Sequence, residues 1–187
     1  MILASRSPRR KELLASCGVE FSIYDAGVKE LTADCGVPIE QLPAQNALLK
    51  ARAVAERFPG ELVLGADTMV ICDGKALGKP GSLDESFRML KMLSGKSHEV
   101  ITGVALVWKE KNFTEVWNGV SHVRFKKLSG ENIEEYISLV NTLDKAGAYA
   151  VQEHGELIID HFDGELENII GLPLIRLKQL LHELLQK

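Results

Sequence analysis

Ile2-Leu3-Ala4-Ser5-Arg6-Ser7-Pro8-Arg9-Arg10 opens as a short apolar run and passes within a few residues into the signals of a helix start. Ser7 suits the N-cap, where a hydroxyl accepts a backbone N–H of the first turn, and Pro8 suits the first helical position, where a missing N–H costs nothing. Leu13, Leu14 and Cys17 then supply an apolar face, and Gly18 supplies a stop. A buried strand feeding directly into a helix is the unit from which α/β folds are assembled.

The alternation continues outward from this junction. Residues 19–24 read as a second strand, and residues 25–43, with Gly27, Gly36, Pro38, Pro43 and little periodicity, read as a long loop of the kind that often carries function. Ala44, Ala47, Leu48, Ala51, Val54, Ala55 and Phe58 recur at helical spacing, Lys50 and Arg52 lie off the centre of that stripe, and Pro59-Gly60 closes it. Strand-like runs over 62–64 and 69–72 flank Gly65-Ala66-Asp67-Thr68, and Asp73-Gly74 predicts a hairpin turn. Ser82-Leu83-Asp84-Glu85 reads as a capping box ahead of a helix carrying Phe87, Leu90 and Leu93, which Gly95 stops. Strands over 100–108 and 113–125, a helix over 131–140, a strand over 157–162 with a turn at Asp163-Gly164, and a helix after Pro173 complete the pattern. The expected fold is α/β, a mixed twisted sheet flanked by helices, in a single domain over residues 1–187.

Composition narrows the function classes. With 45% apolar and 26% charged residues, the chain is an ordinary globular protein rather than a disordered, collagen-like or disulfide-scaffold one. A net charge of −4 argues against nucleic acid polymers as partners, because phosphate neutralisation along a duplex needs a basic surplus. A small anion needs only a local basic cluster, and the Ser5 to Lys11 stretch provides one. Cys17, Cys35 and Cys72 are odd in number and form no CxxC pair, so they read as reduced thiols of a cytoplasmic protein. The apolar residues precede the arginines, the reverse of a signal peptide, and no run approaches a membrane span.

Three places can carry chemistry. At Ser5 to Arg10 a helix start offers free N–H groups and a positive dipole end, yet two arginines in its first turn oppose that dipole. The pattern fits either an anion site or a capped helix with solvated arginines. Asp67 is a carboxylate between apolar runs, which makes it a base, a metal ligand, a turn residue or a hydrogen-bonded structural acid. Lys79, in the Gly78-Lys79-Pro80 turn, is either aimed at a phosphate or solvated. The third place is Asp144-Lys145-Ala146-Gly147-Ala148-Tyr149-Ala150-Val151-Gln152. Its small residues allow close backbone approach, and Gln152 offers a donor and an acceptor to a base edge; the alternative is a packing loop. The five histidines show no metal-ligand spacing.

Leu3-Ala4-Ser5-Arg6-Ser7-Pro8-Arg9-Arg10, Gly65-Ala66-Asp67-Thr68, Gly78-Lys79-Pro80, Leu93-Ser94-Gly95, Asp144-Lys145-Ala146-Gly147-Ala148-Tyr149 and Gly171-Leu172-Pro173 occur in the order of the motifs of the Maf family of nucleoside triphosphate pyrophosphatases, which this sequence resembles over nearly its whole length. The resemblance implies two lobes around a nucleotide-binding cleft, as in inosine triphosphatase-like folds, a homodimer, and cleavage between the α and β phosphates with Mg²⁺ or Mn²⁺. It implies phosphate binding by Ser5, Ser7, Arg9, Arg10, Lys50 and Lys79, a metal side formed by Glu30 with Asp67, and Asp67 as proton acceptor. Arg9, Thr68 and Gln152 match the specificity positions of the subgroup acting on dTTP and UTP rather than those of the 7-methyl-GTP subgroup. Glu153-His154-Gly155 departs from the pyrimidine pattern, which usually has glycine directly after the glutamine. A nucleotide-binding regulator of septum formation is the rival reading. It would need the basic cluster but not Asp67, so the aspartate favours the enzyme.

The residues suit that reaction on physical grounds as well. A triphosphate brings about four negative charges, which must be offset before an anionic nucleophile approaches, and Arg9, Arg10, Lys50, Lys79 and a divalent cation can offset them. Asp67 can orient or deprotonate the attacking water.

Overall fold

A computed structural model describes residues 1–185. In chain order the elements are β1 (Ile2–Leu3), α1 (Pro8–Ala15), β2 (Ser22–Ile23), α2 (Leu42–Ala55), β3 (Leu62–Cys72), β4 (Lys75–Leu77), α3 (Leu83–Leu93), β5 (Ser97–Trp108), β6 (Phe113–Phe125), α4 (Gly130–Leu139), α5 (Gly155–Ile158), β7 (Ile159–Asp163), α6 (Leu166–Ile170) and α7 (Leu174–Leu185). The seven strands form one sheet in the order β2-β1-β3-β5-β6-β7, with β4 folded back on β3. β1 is parallel to both β2 and β3, whereas β4 and β7 are antiparallel to their neighbours β3 and β6. The sheet is therefore mixed, as the alternation predicts. No helix among the described residues is long and apolar enough to cross a membrane.

The chain divides into two compact units. The first holds Met1–Asp67, Thr102–Gly119 and the segment from Glu165 onward. Successive strand residues point to opposite faces, so the continuous apolar runs of β1 and β3 need cover on both. Leu3, Leu64 and Leu106 pack with Leu14 of α1 and Leu177 and Leu181 of α7. Ile2, Ala4, Val63 and Ala105 pack with Ala47, Ala51 and Val54 of α2. The small side chains on α2 reflect how close it lies. A Cβ at Gly65 would stand 2.2 Å from the Ala47 carbonyl oxygen, and one at Gly103 would stand 2.1 Å from the Pro43 carbonyl carbon. Gly65 thus marks close backbone approach inside a strand, not a turn. The two runs expected over 62–64 and 69–72 are one unbroken strand, β3, with Asp67 in it.

Other boundaries differ from the sequence expectation for local reasons. Residues 25–43 are not one irregular loop. They contain two short 3₁₀ turns, Ala33–Cys35 and Ile39–Gln41, and their last two residues begin α2, where Pro43 sits in the first turn and acts as a starter rather than a breaker. α2 ends at Ala55, so Phe58 lies beyond it and packs edge-on against Tyr24 with ring centroids 5.0 Å apart. The last helix is capped from a distance: the Glu165 carboxylate accepts the Leu174 and Ile175 N–H groups.

The second unit holds Thr68–Ile101 and Val120–Gly164. Its β3–β4 hairpin turns at Asp73 (φ +51°) and Gly74 (φ +70°), the positive-φ pair the sequence predicts. Ser82 caps α3 by accepting the Glu85 N–H at 3.2 Å, but the expected reciprocal bond is displaced by one residue, because the Glu85 carboxylate takes the N–H of Gly81 at 2.7 Å. The complete capping box is Ser129 with Asn132, at the start of α4. Leu157 and Ile158, expected in a strand, close the helical turn α5 after His154 (φ +53°), and β7 begins at Ile159.

β5 starts at Ser97, three residues before the expected boundary, and carries His98 into the core. There its Nε2 lies 2.8 Å from the Tyr149 hydroxyl, and its ring packs edge-on against Phe125 and Tyr149. Burial pulls the imidazole from its ordinary 6.5 down to about 4 and pushes the Tyr149 phenol up. Between those two histidine values the unfolded chain binds the proton and the folded chain does not. His98 therefore contributes stability that is complete above pH 6.5 and is lost as pH falls toward 4, about 3 kcal/mol over the window. Urea unfolding at pH 7 and pH 4.5 should show this loss, and His98→Gln should reduce the difference between the two pH values; an unchanged difference would contradict the assignment.

Candidate active site

The α1 junction is built around Arg10. Ser7 has extended backbone (φ −62°, ψ 119°) and its hydroxyl accepts the Arg10 N–H at 3.5 Å, as an N-cap should, with Pro8 in the first turn. Ser5 Oγ accepts the Ser7 N–H at 3.2 Å and the Arg10 Nη1–H at 3.3 Å. Arg10 Nε donates to the Gly171 carbonyl at 2.9 Å. Gly171 (φ +129°) has a backbone conformation that favours glycine, so the Gly171-Leu172-Pro173 motif serves to aim Arg10. Burial pulls the Arg10 guanidinium below its ordinary value, Asp67 and Glu30 pull it back up, and Arg9 lowers it further. Arg10 is thus placed beside acids, whereas Arg6 is 79% exposed at the side chain and pairs with Asp25 at 3.2 Å.

A second cluster forms where α2 lies on β3. Asp67 is buried at 8% exposure, and its two carboxylate oxygens have separate partners. Lys50 Nζ donates to Oδ1 at 2.8 Å, and Asn46 Nδ2 donates to Oδ2 at 3.1 Å. The ammonium also lies 2.5 Å from Glu30 Oε1 and 3.4 Å from the Ala66 carbonyl oxygen. Asn46 and Lys50 are four residues apart and share a helix face, and the glycine contact at Gly65 brings that face against the strand. Asp67 is therefore not an isolated acid but a member of a compensated cluster.

The structure thus brings together Ser5, Ser7 and Arg10, and Glu30, Lys50 and Asp67, within the first unit, with Arg10 in electrostatic reach of Glu30 and Asp67; Arg9 is half-buried next to Arg10. Asn46 is the member that sequence reading misses. Its only signal is the i, i+4 spacing to Lys50, in a helix whose other residues around it, Gln45 aside, are alanine and leucine.

Thr68, Lys79 and Gln152 belong to the second unit. Thr68 follows Asp67 in β3 and is half-buried, while Lys79 and Gln152 are exposed. The Lys79 turn is tied to the small-residue segment through the Gly147 N–H, which donates to the Gly78 carbonyl at 3.0 Å. Gly147 (φ +67°) presses against Val70, where a Cβ would stand 3.1 Å from Cγ2, so the close approach read from the small residues is present. Lys145 is buried at 3% exposure, donates to the Asn141 carbonyl at 2.7 Å, and pairs with Asp144 at 2.8 Å and Glu153 at 3.1 Å. The departure after Gln152 has a structural use: Glu153 compensates a buried ammonium.

Glu30 and Asp67 each set one carboxylate oxygen against the same cationic point, Lys50 Nζ. Two hard oxygens around one positive charge fit a divalent cation that keeps several waters and takes phosphate oxygens, and do not fit an all-protein cage. No cluster of three or more His, Cys, Asp or Glu suited to a metal occurs among the described residues.

A mixed α/β sheet, a helix-start arginine held by serines, and a buried acid–lysine cluster define a protein equipped for a polyanionic ligand and acid–base chemistry. The chain belongs to the Maf family: the model described as Maf-like protein matches residues 1–184. It is 43% identical over 181 residues to a dTTP/UTP pyrophosphatase of Moorella thermoacetica, covering 97% of this chain and 93% of that one. It is 45% identical to the enzyme of the same name from Symbiobacterium thermophilum, covering 97% and 92%. Among solved structures it resembles a HAM1 protein from Coxiella burnetii, with a TM-score of 0.56 at 17% identity over 97% of this chain and 98% of that one, a likeness of fold.

Proposed function

We propose that this chain hydrolyses dTTP and UTP to the nucleoside monophosphate and pyrophosphate. The observation that carries the reading is the convergence of Lys50, Glu30 and Asn46 on the buried Asp67, in the unit that also holds Arg10 in place. The names of the relatives support the same substrates. Arg9, Arg10, Lys50 and Lys79 offset the triphosphate charge, with the Ser5 and Ser7 hydroxyls at Arg10. Glu30 and Asp67 would hold Mg²⁺ or Mn²⁺, which supplies charge neutralisation at the phosphates. Asp67 accepts a proton from the attacking water, and no side chain forms a covalent bond. A homodimer and a cytoplasmic location follow the family resemblance and belong to this proposal.

Gln152, with a donor and an acceptor on one amide, complements the O4 and N3–H edge shared by uracil and thymine, and cytosine reverses that edge. An amide facing the wrong partner loses about 1 to 3 kcal/mol, or roughly five- to a hundredfold in discrimination. Incubation with a panel of triphosphates and Mg²⁺, reading pyrophosphate release, should rank dTTP and UTP above dCTP and CTP and place purine triphosphates lower still. Gln152→Ala should narrow that range. Equal rates on GTP and UTP, or a preference for 7-methyl-GTP, would remove the pyrimidine assignment, and absence of pyrophosphate from every triphosphate would remove the enzyme.

A further inference from the structure

Asn46 is 1% exposed, and three hydrogen bonds engage its side-chain amide. Oδ1 accepts the Leu31 N–H at 2.7 Å, Nδ2 donates to the Leu31 carbonyl at 3.2 Å, and Nδ2 also donates to Asp67 Oδ2 at 3.1 Å. The first two bonds fix which way the amide points, because reversing it would set its NH₂ against the Leu31 N–H and its oxygen against the Leu31 carbonyl. With the amide so locked, a donor necessarily faces Asp67.

Anchoring the loop would require only the two bonds to Leu31. The third reaches the proposed base, and Leu31 directly follows Glu30, the other acid on Lys50. Lys50 takes one Asp67 oxygen and Asn46 the other, so the plane of the carboxylate is set from two sides. A proton acceptor displaced by a fraction of an ångström loses much of its rate advantage, which is why the orienting bond matters.

We propose that Asn46 is the positioning residue of this site, fixing Asp67 directly and the Glu30 segment through Leu31. The proposal rests on the pyrophosphatase reading above.

Two full-length variants test it, with kcat and KM for UTP measured in Mg²⁺ and amide hydrogen exchange followed at the peptide containing Leu31. Asn46→Asp is nearly isosteric and keeps an acceptor for the Leu31 N–H, but sets a carboxylate oxygen against both Asp67 and the Leu31 carbonyl where a donor stood. Its Leu31 exchange should stay near wild type while kcat falls at least about tenfold and KM moves less than about threefold. A residue that merely anchored the loop would lower kcat only in step with lost protection at Leu31. Asn46→Ala, which introduces no charge and remains decisive if the aspartate variant does not fold, should lower kcat with KM largely kept and should speed exchange at Leu31. Unchanged kcat in either folded variant, or a rise in KM alone, would overturn the proposal. An active wild type with unaffected variants defeats this inference alone; a wild type releasing no pyrophosphate defeats the pyrophosphatase reading and this inference with it.

Discussion

Asp67→Asn is expected to lower kcat at least about a hundredfold, the low end for loss of a general base, while the protein remains folded. The substitution keeps the shape of a side chain that is 8% exposed within β3, so packing against α2 is undisturbed. The change is chemical. An amide cannot take the proton of the attacking water, and it presents one acceptor where Lys50 and Asn46 now find two. Substrate affinity should change far less, because the arginines of α1 and Lys79 are untouched. Steady-state kinetics with circular dichroism checks both halves, and near-native turnover in a folded variant would remove Asp67 from the reaction.

Lys50→Met should be the more damaging to stability. Lys50 and Asp67 are each only about a tenth exposed at the side chain, so loss of the ammonium leaves a largely buried carboxylate to which Asn46 still donates but whose charge Lys50 no longer offsets. Removing one partner of such a pair typically costs about 3 to 5 kcal/mol. Turnover should also collapse, since the same ammonium belongs to the set proposed to offset the triphosphate charge. The double variant Lys50→Met/Asp67→Asn should recover part of the lost stability without recovering activity, because it no longer buries a carboxylate that has lost its ion-pair partner. Urea unfolding of the four proteins measures this, and strictly additive losses would contradict the coupling.

Much of this architecture is legible in the chain. The strand-to-helix junction at Ser7-Pro8, the Asp73-Gly74 hairpin and the apolar stripes depend on local rules, and they form as the sequence predicts. Long-range packing hides the rest. Gly65-Ala66-Asp67-Thr68 separates two apolar runs until α2 is known to press on Gly65, which is why one strand reads as two. Pro43 resembles a breaker unless the helix starts there. The same packing explains the site. Sequence can name Asp67, Glu30 and Lys50, but only the contact of α2 with β3 shows that they meet and that Asn46 joins them. Gly171 is one glycine of a motif until its carbonyl is found on Arg10, and Glu153 is a departure until it is found on Lys145.

The central claim is that a water activated at Asp67 attacks the α-phosphorus and expels both outer phosphates together. Hydrolysis of UTP in ¹⁸O-labelled water, with the products separated and weighed by mass spectrometry, tests it most directly. One ¹⁸O is expected in the uridine monophosphate and none in the pyrophosphate; label in the pyrophosphate, or formation of diphosphate with free phosphate, would contradict the claim.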